Sequence, residues 1–142
     1  MKVVQLSALT PELTEFFIKS WQDADLEHYG TYSGFEEEKI VLVARDENEI
    51  NLGLILAILG GGVIFLDDVI VDKNHQHHGV GTELMTKLEA VAKEKNAHKI
   101  FLYTTAGWDA VKLYEELGYK KTADLPNHYL KKDWVEYTKF LT

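Results

Sequence analysis

The 142-residue chain contains no cysteine. That excludes disulfides, thiolate metal sites and a cysteine nucleophile, and it fits a cytoplasmic protein. Proline is scarce: Pro11 falls at a helix start and Pro126 in a loop. No apolar run is long enough to span a membrane, because the longest, Leu52 to Leu66, is broken by Gly60-Gly61-Gly62. Residues 1–20 do not read as a secretory leader, since Glu12 and Glu15 interrupt a short apolar run. Positive charge is also in deficit, with 15 Lys and Arg against 23 Asp and Glu, a formal charge of −8. Such a chain repels nucleic-acid phosphates, which argues against DNA or RNA as partner. It mildly favours a cationic ligand through steering, although solubility alone accounts for the charge equally well. Repeats, low-complexity tracts and linkers are absent. The length and a hydrophobic content of 46% predict one domain over residues 1–142 with a proper core.

What the chain does have is Gln76-His77-His78-Gly79-Val80-Gly81-Thr82, between an apolar strand-like run (Val63 to Val71) and an amphipathic segment (Thr82 to Lys95). Glycines there permit a tight turn and expose backbone N–H groups where the positive end of a helix dipole begins. That is an anion site suited to a phosphate or pyrophosphate. It is not a nucleotide-kinase loop, because no Lys follows Gly81, and not a dinucleotide fingerprint, because the third glycine would fall at Leu84. The alternative is a bare glycine turn.

A coarse pass predicts a strand at Lys2–Leu6, then a helix opened by Thr10-Pro11-Glu12 with Leu13, Phe16, Phe17 and Trp21 on its apolar face. Asp23 to Glu38 reads as a second short helix flanked by loops, carrying His28, Tyr29, Tyr32 and Phe35. Ile40–Ala44 and Ile50–Leu59 read as strands joined by the turn Asp46 to Glu49, and Gly60-Gly61-Gly62 turns into the strand Val63–Val71. A helix at Thr82–Lys95, a strand at Lys99–Thr104 parallel to Val63–Val71, and a helix at Asp109–Leu117 capped by Gly118 follow. A strand pair is expected at Tyr119–Thr122 and His128–Lys131. A short terminal helix is expected at Asp133–Thr142, with Asp133 and Glu136 at capping-box spacing. The fold class is α/β, with a mixed, mostly antiparallel central sheet and helices on both faces. Its ligand crevice would lie where the strands ending at Val71 and Thr104 splay apart.

The spacing Gln-x-x-Gly-x-Gly resembles the coenzyme A pyrophosphate loop of the GNAT superfamily of N-acetyltransferases. Leu113-Tyr114-Glu115-Glu116-Leu117-Gly118-Tyr119 resembles that family's Leu-Tyr-Glu-Lys-Leu-Gly-Phe segment and stands where the family places it. The order of elements extends the resemblance to nearly all of the chain. It implies acetyl-CoA as co-substrate, with the pyrophosphate on Gln76, His77, His78, Gly79, Val80, Gly81 and Thr82. It further implies that the pantetheine arm pairs with the backbone of Val69, Ile70 and Val71. The aromatic segment before residue 38 and the region of His128 and Tyr129 would frame the acceptor.

Acetyl transfer to an amine needs a held thioester, a deprotonated amine, a donor for the oxyanion and a proton for the leaving thiolate. Asp67 and Asp68 are the candidate bases by resemblance. Strand alternation favours Asp67, which shares a face with Val69 and Val71 unless a bulge intervenes; both can also be plain solvent-facing residues. Tyr114 is the family's general acid, its unperturbed pKa of about 10 standing near a thiol's value of about 8.5; otherwise it is a core aromatic. The family's usual Asn seven residues before this tyrosine is Gly107 here, and Trp108 beside it can line an acyl pocket or simply pack. His75, His77 and His78 do not form a metal site, lacking an acidic ligand at suitable spacing; protonated, they would assist phosphate binding.

The expected function is transfer of acetyl from acetyl-CoA to a primary amine, expected to be small and cationic, in a ternary complex. Protein N-terminal or lysine acetylation, and a non-catalytic acyl-CoA-binding regulatory module, stand as alternatives. The aromatic tail Trp134, Tyr137, Phe140 suggests a homodimer, or packing on its own domain.

Overall fold

The computed structural model describes residues 1–32 and 36–141. The chain separates into two compact units, Met1–Phe35 and Glu36–Thr142.

The first unit holds one helix, α1 (Pro11–Tyr29). Thr10 caps it, its Oγ1 accepting from Leu13 N at 3.2 Å, and Pro11 occupies the first turn, where its missing N–H costs nothing. Gly30 ends it in the left-handed conformation (φ 72°), its N–H donating to Leu26 O. Two expectations are corrected here. Lys2–Leu6 forms no strand. Asp23–Tyr29 is not a separate helix but the last two turns of α1, because no glycine or proline interrupts the chain between Pro11 and Gly30. His28 and Tyr29 end α1, Tyr32 follows it, and Phe35 lies outside the described residues.

The second unit is a six-stranded sheet with two helices. Its elements are β1 (Glu38–Arg45), β2 (Asn51–Gly60), β3 (Val63–Val71), α2 (Val80–Glu94), β4 (Lys99–Thr105), α3 (Ala110–Glu116), β5 (Lys120–Leu125) and β6 (Trp134–Phe140). Spatial order is β1-β2-β3-β4-β6-β5, antiparallel throughout except for β3 and β4. This is the expected mixed, mostly antiparallel α/β sheet. Both early hairpins form as read; Asp46 holds the first, its Oδ1 accepting from Asn48 N and Ile50 N.

The C-terminal region departs from expectation. The expected helix over Asp133–Thr142 does not form across the described residues 133–141: Trp134–Phe140 is β6, inserted between β4 and β5. Val135 and Tyr137 are buried at period two, and the two acids at capping-box spacing have other partners. Asp133 Oδ1 accepts from Asn127 N, and Glu136 Oε1 accepts from the Thr122 hydroxyl at 2.6 Å. His128–Lys131 is likewise not a strand. It is a tight turn around Tyr129–Lys131, with Leu130 and Lys131 left-handed (φ 56° and 58°), so β5 takes β6 as its partner instead.

The core lies between α2 and one face of the sheet. Leu84, Met85, Leu88 and Ala92 of α2 share a stripe at helical spacing and join Ile55, Ile64, Leu66, Ile100 and Leu102 in one buried cluster. Each fully buried Leu or Ile contributes roughly 1.5–3 kcal/mol. Gly53 lets α2 come close: a Cβ there would stand 2.9 Å from Ile70 O and 3.0 Å from Leu84 Cδ1. Of these contacts the carbonyl is backbone and cannot swing aside.

Candidate active site

Two features of β3 shape the site. The first is a bulge. Ala57 of β2 pairs with Leu66 and Leu56 pairs with Asp68, leaving Asp67 as the extra residue. Before the bulge Ile64 and Leu66 point into the core; after it Val69 and Val71 turn to that same side. Without the extra residue they would face the other way. The alternation expected to carry Asp67 with Val69 and Val71 is therefore interrupted at Asp67 itself. Asp68 is paired with the outward-facing Leu56.

The second feature is a short parallel pairing. β3 and β4 are matched only from Val63–Leu66 and Lys99–Leu102. Beyond Leu66, the edge of β3 on that side has no β4 partner, so backbone groups near Val69–Val71 are left for something else to bond.

A groove of about 1010 Å³ opens at this splay. One wall is Val69, Ile70 and Val71. The floor is Gln76, His77 and residues 79–82 at the start of α2, and the far wall is residues 107–110 and 112–114 with Glu116. Gly79 (φ 85°) is the N-cap of α2 and no side chain caps that end, so the first N–H groups of the helix stay open to a ligand. His77 is also left-handed (φ 62°), which extends the tight curvature of the turn. Gly81 is where α2 and α3 approach: a Cβ would meet Leu113 Cδ2 at 3.1 Å. The Gln76 side chain donates to Val71 O at 3.3 Å and ties the turn to the strand.

Of the expected site residues, Val69, Ile70, Val71, Gln76, His77, Gly79, Val80, Gly81, Thr82 and Tyr114 line this groove; His78, Asp67 and Asp68 do not. The three histidines thus separate. His77 faces the groove, whereas His75 is engaged by Asp72, Nδ1 to Oδ2 at 2.7 Å. That contact, with help from Asn74 N, holds the Asp72 carboxyl below its ordinary range. Among the described residues no three His, Asp or Glu side chains are placed to share a metal ion.

Tyr114 is buried against Tyr119 and Tyr137, with ring centroids at 6.0 and 6.4 Å. Burial pushes its hydroxyl up to about 12. The phenol is therefore fully protonated at neutral pH, and it forms no side-chain hydrogen bond with the described residues. Sequence reasoning raised Gly107 and Trp108 but missed Asp109, Lys112 and Glu116, which also line the groove. A signal existed: 109, 112, 113 and 116 recur at helical spacing on one face.

The profile of the acetyltransferase (GNAT) family matches residues 6–119. The chain belongs to that family. It is 29% identical over 119 residues to the uncharacterized protein YdhI of Bacillus subtilis (strain 168), covering 81% of this chain and 71% of YdhI. Among solved structures, an acetyltransferase from Bacillus cereus ATCC 14579 superposes with a TM-score of 0.76 at 20% identity, over 97% of this chain and 98% of that one. A candidate streptothricin acetyltransferase from Bacillus anthracis str. Ames, solved in complex with acetyl coenzyme A, gives 0.67 at 23% identity, over 73% of this chain and 63% of that one. At such identities the likeness shows the fold alone. Acetyl-CoA is the co-substrate of this family.

Proposed function

We propose that the protein is an acetyl-CoA-dependent N-acetyltransferase acting on a small cationic primary amine. The observation that carries this reading is the meeting of three features in one groove: the uncapped start of α2, the unpaired edge of β3 and the hydroxyl-bearing Tyr114. In this assignment the N–H groups of residues 79–82 hold the pyrophosphate and Val69–Val71 take the pantetheine arm as an added strand. The thioester then lies toward Tyr114.

The amine nitrogen's lone pair forms the N–C bond to the acetyl carbon, the C–S bond breaks, and its electron pair goes to sulfur. The amine's proton leaves to water or to an aspartate on β3, with Asp67 and Asp68 as the candidates. Tyr114 donates to the departing sulfur. With its hydroxyl at about 12, complete proton transfer to a thiolate is uphill, so its contribution is chiefly a hydrogen bond to the developing negative charge. A non-catalytic binding module draws support from one observation, that neither Asp67 nor Asp68 lines the groove.

Thermal unfolding with acetyl-CoA, coenzyme A, ATP and NAD tests the binding half. A native-state ligand at 100 times its Kd adds about 2.7 kcal/mol, so both coenzyme A forms should raise Tm while ATP and NAD do not. Equal shifts with ATP, or none with coenzyme A, would sink the assignment.

A further inference from the structure

The face of the sheet turned away from α2 carries a second assembly. Tyr103 of β4 and Glu136 of β6 are cross-strand partners on that face, and Thr105 and Trp134 are the next pair. The turn after β5 stacks two more rings there: Tyr129 stands 5.2 Å from Trp134, and His128 lies 4.5 Å from Tyr129 and 5.9 Å from Trp134, all edge-to-face. The turn holds Asn127, Leu130 and Lys131 left-handed, positions where a side chain is disfavoured. It is pinned by His128 N to Lys132 O at 2.7 Å and Asn127 N to Asp133 Oδ1 at 2.9 Å.

Glu136 is the unusual member. It is half-buried, accepts from the Thr122 hydroxyl, and faces Tyr103, whose hydroxyl is pushed up by burial and then by the carboxylate. Among the described residues no Lys, Arg or His pairs with Glu136. A half-buried carboxylate beside aromatic side chains, with no cationic side chain paired to it, is a seat for a positive charge.

We infer that Tyr103, Tyr129, Trp134 and Glu136 seat an ammonium group, and that the acceptor is a diamine or polyamine. The second half follows from the chemistry and rests on the acetyl-transfer reading above. A seat built from a carboxylate and ring faces keeps its occupant protonated, whereas the nitrogen that attacks the thioester must be neutral. The seated nitrogen and the reacting nitrogen are therefore different atoms of one molecule. The placement suits this: Tyr103 directly follows Leu102, the last β4 residue paired with β3, so the seat stands at the strand position where the splay begins.

The test is calorimetric titration of the full chain with 1,4-diaminobutane and with n-butylamine, with and without coenzyme A. The diamine should bind about tenfold tighter than the monoamine, a gain of the size cation–π and charge contacts supply. Glu136→Gln should abolish that preference while leaving coenzyme A affinity unchanged. The exposed-ring variant Tyr129→Leu should reduce it severalfold, with Tm confirming that both variants fold. In turnover, the same variants should raise KM for the diamine with little change in kcat. Equal affinity for the two amines, or a preference that survives Glu136→Gln, would overturn the inference. Loss of coenzyme A binding with the diamine preference intact would instead sink the acetyl-transfer reading and leave the seat standing.

Discussion

The groove beneath the splay and the aromatic face above it are built from opposite materials. The groove is mainly backbone: a glycine turn, an open helix start and a strand edge, with the buried Tyr114 among its side chains. The aromatic face is mainly side chain: a cluster of rings and one carboxylate, beside a turn with left-handed residues. Backbone sites tolerate change at most side chains but not at glycine. Side-chain sites lose their selectivity with one substitution and keep their shape. The first design suits a fixed, shared co-substrate, and the second suits a variable partner.

This contrast can be broken at several points. The largest effect should come from Gly81→Val, which forces branched bulk against Leu113 where α2 and α3 meet. Acetyl-CoA affinity, read by titration, should fall by roughly 100-fold or more, since overpacking costs and lost N–H geometry add. Tyr114→Phe should come next: kcat lower by about 100-fold, as for loss of one hydrogen-bond donor to the developing charge, with coenzyme A affinity within about twofold. Unchanged kcat would make Tyr114 a packing residue only.

How far the two regions were legible follows from the same contrast. The groove was readable because glycines at fixed spacing leave a trace in the sequence, and Gly79 and Gly81 stand where the turn requires them. Strands β1 to β3 were readable because their hairpin turns carry Gly, Asp and Asn. The bulge at Asp67 was not, because nothing in Leu66-Asp67-Asp68-Val69 marks an extra residue, and its presence changes which side each neighbour faces. The C-terminal strand was misread because Asp133 and Glu136 imitate a helix start; the alternation of Val135 and Tyr137 was the truer signal. The aromatic seat was hidden in consequence, since Tyr103 and Glu136 become neighbours only once β6 lies against β4.

Two smaller effects sharpen the account. Gly53→Ala should destabilise the fold by about 1–3 kcal/mol in denaturant unfolding without altering coenzyme A specificity, because its Cβ would press on the Ile70 carbonyl. The other, of similar size and confined to a narrow window, concerns alkaline pH. Tyr114 titrates at about 12 in the fold and near 10 when unfolded, so the native state binds more protons across that window. Its contribution is complete below pH 10 and is lost as pH rises through 12, on the order of 2–3 kcal/mol. Chemical unfolding from pH 9 to 12 should show this fall, and Tyr114→Phe should flatten part of it; Tyr119, also raised by burial, accounts for a further share.

The most direct test of the central claim uses the absence of cysteine. Because the chain has no thiol of its own, a colorimetric thiol reagent mixed with enzyme, acetyl-CoA and 1,4-diaminobutane reports only released coenzyme A. The expected release is saturable, depends on the amine, falls about 100-fold in Tyr114→Phe and vanishes in Gly81→Val. Coenzyme A binding without amine-dependent release, across diamines and monoamines alike, would contradict it and leave a binding module in its place.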